Sequence, residues 1–240
     1  MLRRLLVLGL LAGAIAGLLA FLFALTVGEP QLDRALAFES QSMQRHLHPV
    51  ESEVVSRSIQ SGIGLFVAVV VFGTALGGLF AVAFAFVHGR FGDLSPRATS
   101  ALLAAAAFFA IALVPAIKYP ANPPSVGSPD TIAERTTLYL VTILVTIAGM
   151  LFSAFIGSRF LTRLGTWNAS LLGSSVLLLV LIIVHALLPA VGDIAQQFPA
   201  DVLWNFRIAS IGIHLILWTT IGIVFGELVE RVLFPPSSRH

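Results

Sequence analysis

No cysteine occurs among the 240 residues, which excludes a disulfide scaffold, a thiolate metal site and a dithiol redox motif. A metal held by this chain must use imidazole, carboxylate, carbonyl or methionine sulfur. Charge is scarce too: Asp, Glu, Lys and Arg make up 11% of the residues against 57% hydrophobic, at a mean hydropathy of +0.95. That balance excludes a soluble globule of ordinary composition. The chain has no Walker loop, no GxSxG, no HExxH and no paired carboxylates within an apolar run. It therefore supports neither nucleotide hydrolysis nor a familiar hydrolase, and no enzyme activity is expected. The apolar runs also lack the two-residue alternation of a membrane barrel.

What remains is six apolar runs, at about 5–26, 62–87, 99–117, 137–157, 168–188 and 208–226. Each reaches or approaches the roughly 20 residues that cross about 30 Å of hydrocarbon as helix. They predict an all-α polytopic membrane protein of six transmembrane helices, one membrane domain over 1–240, with outer loops at 27–61, 118–136 and 189–207. The first run, behind Arg3-Arg4, resembles a secretory signal, but it is too long and lacks a clear small-x-small cleavage site, so it is read as helix 1. One side of this topology gathers Arg3, Arg4, Arg90, Arg97, Arg159, Arg163, Arg231 and Arg239 with three acids. The other gathers Arg34, Arg45, Arg57, Lys118, Arg135 and Arg207 with nine acids. The Lys and Arg count places both termini in the cytoplasm, and the basic pI reflects topology rather than a nucleic-acid surface. The acidic outer face draws cations modestly at physiological salt.

Small residues recur at four-residue spacing: Gly9, Gly13 and Gly17; Gly73 and Gly77; Gly149, Ser153 and Gly157; Gly222 and Gly226. They read as helix-packing seams. Pro-Ala pairs close the third and fifth runs, Arg-Phe pairs open two inner turns, and Arg57, Arg135 and Arg207 precede the descending helices. This echo suggests three tandem helical hairpins about an axis along the membrane normal.

The most polar and rigid insertion is Pro115 to Arg135, with prolines at 115, 120, 123, 124 and 129. Fixed φ and missing donors predict a non-helical cap whose carbonyls face water, a cation or a neighbouring loop. The same stretch is equally an ordinary interhelical loop. In the long outer loop, Pro30 suits a first helical turn, and Leu32, Ala35, Leu36, Phe38 and Met43 form a partly amphipathic segment expected along the membrane surface.

Arg57, Arg135 and Arg207 each need an acid or a carbonyl, as ion pairs tying loop to helix or as a gate lining a path. His185 and His214 lie near the outer ends of their helices and are candidates for a shared ligand, or are hydrogen-bonded bundle residues. His46 and His48 lie near Glu51 and Glu53, and Glu39, Met43 and His46 share one helical face. That set suits Co²⁺, Ni²⁺ or Zn²⁺, though a solvated polar face explains it equally. The candidate substrate path comprises Glu29, Glu39, Arg57, Lys118, Asn122, Arg135, Asp201 and Arg207, and the candidate metal ligands are His46, His48, His185 and His214.

Three stretches carry a resemblance: Val27-Gly28-Glu29-Pro30 with Asp33 and Glu39; Lys118-Tyr119-Pro120-Ala121-Asn122-Pro123-Pro124 with Val126-Gly127 and Arg135-Thr136; and Phe198-Pro199-Ala200 with Leu203-Trp204-Asn205-Phe206-Arg207 and Ser210. On these the chain resembles the CbtA family of probable cobalt transporter subunits. The resemblance implies a multi-pass bacterial inner-membrane protein that imports Co²⁺ for cobalamin synthesis beside a small single-span, His-rich CbtB-like partner. It places metal capture on that partner, which counts against a site at His46 and His48. Co²⁺ is then a substrate, with no permanently bound cofactor. The lipid bilayer is the other partner, nucleic acid is not one, and a homo-oligomer stays open. Two rivals remain: a non-transporting scaffold that docks a partner on the glycine seams, and a haem or quinone redox subunit using His185 and His214. The haem rival requires a Soret band from the purified protein; the transporter reading expects an absorption spectrum without one.

Overall fold

The computed structural model of the protein describes residues 1–46, 55–90, 92–124, 126, 129–191 and 198–233, with side chains for all of these except 42–46 and 233. Among the described residues there is no strand. Five helices are long and apolar enough to cross a membrane: α1 (Leu2–Gln41), α2 (Arg57–Val87), α3 (Pro96–Lys118), α4 (Ile132–Leu187) and α5 (Ala200–Val232). The fourth and fifth apolar runs both fall in α4, whose 56 residues would measure about 84 Å if straight. Gly165 interrupts it at φ 72°, ψ 167°, a conformation open to glycine and strained for other residues. The arms on either side then pack together. A Cβ at Gly149 would meet Val180 at 3.0 Å, and one at Gly173 would meet the Ser153 carbonyl at 3.1 Å, so the arms run antiparallel.

Pro30, expected in the first turn of a separate helix, and Pro115, expected to open a non-helical cap, both lie inside longer helical stretches. Helical structure continues from Leu2 to His46 with Pro30 in it, so the amphipathic segment extends helix 1 and is not a separate surface helix. The cap expected from Pro115 onward begins only at Tyr119, because Val114–Lys118 is helical. Each proline is preceded by a π-helical stretch, Ala24–Gly28 and Phe108–Leu113. Proline lacks the N–H that would reach back four residues and crowds the carbonyl there, and a widened turn relieves both. For Pro115 that carbonyl belongs to Ile111, and the Tyr139 hydroxyl donates to it at 2.8 Å.

By packing, the chain forms two compact units: Met1–Phe109 with Ala121–Ser125 and Gln197–His240, and Ala110–Pro120 with Val126–Gln196. In the first, α1 packs on α2. A Cβ on Gly13 would lie 2.3 Å from the Gly73 carbonyl and one on Gly77 would lie 2.7 Å from the Gly13 Cα, so the backbones touch along an antiparallel seam. α3 packs on α5, where Gly222 and Gly226 admit Ala104 and Ser100, and the Ser100 hydroxyl donates to the Gly222 carbonyl at 2.7 Å. α5 also packs on α1. The third helix thus shares its seam with the last one, and these seams do not trace three tandem hairpins. Between α2 and α3, the Ser95 hydroxyl accepts from the Ala98 N–H ahead of Pro96, and Gly89 and Gly92 take φ of 77° and 84° to make the turn.

Three substitutions test this construction by thermal unfolding in detergent. Tyr139→Phe leaves the Ile111 carbonyl unpaired and is expected to destabilise by about 1–3 kcal/mol. Gly165→Ala forces a side chain into a strained conformation, with a similar expected loss of about 1–3 kcal/mol. Gly77→Val drives two backbones apart and should yield little folded protein, whereas Gly62→Ala, where an added Cβ meets nothing, should be silent.

Candidate functional site

At one end of the first unit the chain brings together charges that lie far apart in sequence. Glu29 opens the part of α1 beyond the π turn, Asp33 lies one turn on, and Arg57 opens α2. Arg57 Nη2 donates to Glu29 and, at 2.9 Å, to Asp33 Oδ1. The Glu29 side chain is only 12% exposed, so this charge is committed to its arginine and is not free to meet a cation. Glu39, two turns further along, is half-buried, and no ion pair holds it among the described residues. Asp201, in the first turn of α5, is exposed.

Arg207 finds a neutral partner: its Nη2 donates to Asn122 Oδ1 at 2.8 Å. The contact ties the proline-rich loop to α5. The Arg207 Nε is buried with no partner. His214 and Trp218, further along α5, each carry a ring nitrogen in the same condition. At the far end of this unit lies a cluster that sequence reading placed only as dispersed surface charge. Arg97 Nε contacts Glu227 at 2.8 Å and Glu230 at 3.6 Å, and Arg231 pairs with Glu227 four residues earlier. The i,i+4 spacing of Glu227 and Arg231 was the available signal; Arg97 comes from another helix and gave none.

In the second unit, Lys118 donates to the His185 carbonyl near the C-terminus of α4, where the helix dipole favours a cation. His185 Nδ1 lies 3.0 Å from the Leu181 carbonyl. A carbonyl only accepts, so Nδ1 donates this bond, while the buried Nε2 has no partner. Tyr119, 6% exposed, donates to the Pro189 carbonyl at 2.7 Å. Burial, and then the negative charge of Glu134, push its phenol above the usual range, so it stays a neutral donor. Arg135 is half-buried, with Nε buried and unpartnered. Between the arms of α4 lies an open groove of about 390 Å³ lined by Ser153, Ser158, Ser170 and Ser174.

His185 falls in the second unit and His214 in the first. His48, Glu51 and Glu53 lie outside the described residues, as does the His46 side chain. Among the described residues no three of His, Asp and Glu stand close enough to hold a metal ion.

Long apolar helices joined by glycine seams, with charge gathered at helix ends, define an integral membrane protein. Over residues 2–230 the chain matches the family described as Probable cobalt transporter subunit (CbtA), and it belongs to that family. The family's description, a probable transporter subunit, implies a partner complex. No curated protein matches it, and no solved structure does.

The Arg57 cluster makes a direct prediction. Arg57→Gln strands Glu29 in a poorly solvated position and should cost about 1–3 kcal/mol of stability, read as a lowered unfolding temperature. Adding Glu29→Gln should restore part of that loss, because the second change removes the stranded charge.

Proposed function

We propose that this chain is the membrane-embedded subunit through which a divalent transition-metal ion, Co²⁺, is imported for cobalamin synthesis in the bacterial inner membrane. The family match over residues 2–230 carries this reading. In it α4 crosses the membrane twice, turning at Gly165, which makes six crossings with both termini in the cytoplasm. The ends marked by Arg57, Arg135 and Arg207 then face outward with nine of the twelve acids. That face concentrates a cation before any specific contact is made.

The arriving ion loses water against oxygen. Glu29 is held by Arg57, which leaves Glu39 as the carboxylate to meet it, and the backbone carbonyls of the proline-rich stretch are the further oxygen donors of this reading. Oxygen donors in small number suit passage, because a conducted ion must be able to leave each site. A small single-span, His-rich partner supplies the stronger imidazole capture. The scaffold alternative is weakened because the seams at Gly9, Gly13, Gly17, Gly73 and Gly77 and at Gly222 and Gly226 are filled by contacts within their own unit.

The test is Co²⁺ uptake by proteoliposomes holding the chain with its partner, run beside Ni²⁺ and Zn²⁺. Uptake above empty vesicles, with Glu39→Gln raising the concentration for half-maximal rate several-fold, is expected. Uptake no greater than in empty vesicles overturns the reading.

A further inference from the structure

The hairpin of α4 closes on itself through glycine and leaves a valley along one side. An added Cβ on Gly157 would meet the Ala169 carbonyl at 3.3 Å, and one on Gly173 the Ser153 carbonyl at 3.1 Å, so the two backbones form the valley floor. Its walls repeat one pattern. Gly157-Ser158 on the first arm and Gly173-Ser174 on the second each have an Ala and Ser pair four residues before and a leucine three residues after. These offsets keep each set on one face of its helix over about 12 Å, or roughly two turns. The resulting groove of about 390 Å³ is open, and no charged side chain lines it.

The rest of the hairpin's surface is different. Leu144, Phe152, Phe155 and Leu179 are more than half exposed, large apolar side chains of the kind that meet lipid. The groove carries hydroxyls in their place. Ser153 is 6% exposed and lines the groove, and its Oγ has no hydrogen-bond partner. Ser170 and Ser174 beside it are exposed. A lipid tail offers a hydroxyl nothing to bond. Between helices in lipid, close packing of small residues and hydrogen bonds across the seam supply the attraction. The chain uses that device inside its first unit, where the Ser100 hydroxyl donates to the Gly222 carbonyl at 2.7 Å.

We propose that this groove seats a transmembrane helix of a second, different subunit, one whose packing face carries Gly, Ala or Ser at four-residue spacing. Small residues let that helix descend between the arms, and the groove serines donate to its backbone carbonyls as Ser100 does to Gly222. The inference rests on the reading of this chain as one subunit of a transport complex, and it names the place where the partner sits. A second copy does not fit through the same patch: an isologous contact sets a surface against itself, and two valleys face to face leave a void. A lipid headgroup finds no cation there, since Arg159 and Arg163 lie about 150–170° round the first arm from the centre of its groove face.

Because the chain has no cysteine, single introduced thiols report contacts cleanly. Ser158→Cys and Ser174→Cys probe the groove, and Phe152→Cys and Leu179→Cys probe the opposite faces of the arms; all four positions are exposed. Each variant is co-expressed with the small single-span partner carrying one cysteine, moved along its transmembrane helix, and the membranes are oxidised. Disulfide-linked heterodimers are expected from the two groove thiols, strongest at partner positions four residues apart, and at least about fivefold weaker from the two controls. Equal yields from groove and control thiols overturn the proposal, as does the absence of heterodimers, with or without homodimers through the groove thiols. Co²⁺ uptake by the wild-type pair is measured separately. Uptake without groove cross-links sinks the groove alone, and cross-links without uptake sink the transport reading alone.

Discussion

In hydrocarbon a backbone N–H or C=O that its own segment does not satisfy has no water to turn to, and this constraint shapes how the helix passes Pro115. Pro115 frees the Ile111 carbonyl, and the structure answers twice, with a π-helical stretch ahead of the proline and with the Tyr139 hydroxyl on the carbonyl itself. Buried hydroxyls follow the same rule inward: Thr142 and Thr146 each donate to the carbonyl four residues before, and Ser100 donates across a seam to Gly222. Association between helices has no hydrophobic force behind it in lipid. Contact along Gly9, Gly13 and Gly17 therefore depends on backbone reaching backbone, which only glycine permits at these separations.

Arg57, Arg135 and Arg207 each lie in the first turns of a long helix, and the chain treats them in three ways. Arg57 takes two carboxylates, Arg207 takes an amide oxygen, and Arg135 keeps a buried nitrogen without a partner. The sequence feature is the same each time. What differs is which loop returns to that level of the membrane, and that is a property of the tertiary fold. Pairing Arg57 with Glu29 and Asp33 commits two carboxylates to an arginine and away from any role in meeting a cation. The electrostatic pull of that face on a distant ion then comes from the carboxylates that have no arginine beside them.

Much of the architecture was legible because the signals are local. Apolar runs mark helices by length alone, and the glycine spacing at 9, 13, 17 and at 73, 77 identifies both partners of one seam. The misreadings share a cause. Pro30 reads as the start of a separate helix and Pro115 as the start of a non-helical cap, whereas the π turns that precede each one carry the helix through with no local sequence code. Gly165 carried no sign of its positive φ, because an isolated glycine between Leu164 and Thr166 looks like any other packing glycine. The Arg97 cluster was missed because its members lie about 130 residues apart and meet only when α3 and α5 share a seam. The block from Lys118 to Pro124 was singled out correctly as distinctive. Its role as a tether, through Asn122 to Arg207 and through Tyr119 to the Pro189 carbonyl, needed coordinates.

The chemistry of the α5 face also constrains how an ion can use it. Arg207 and Trp218 present N–H groups, whereas the water shell of a divalent cation turns its hydrogens outward and needs acceptors. A face of donors that begins at a guanidinium therefore repels a cation. Acceptors lie elsewhere, at the Glu39 carboxylate and the carbonyls of the proline-rich loop. A cation-conducting role for this subunit thus requires that ion and arginine be kept apart. The fold meets that requirement locally by fixing the Arg207 guanidinium on Asn122, so that its charge stays at the loop and does not swing toward the carboxylates of the same face.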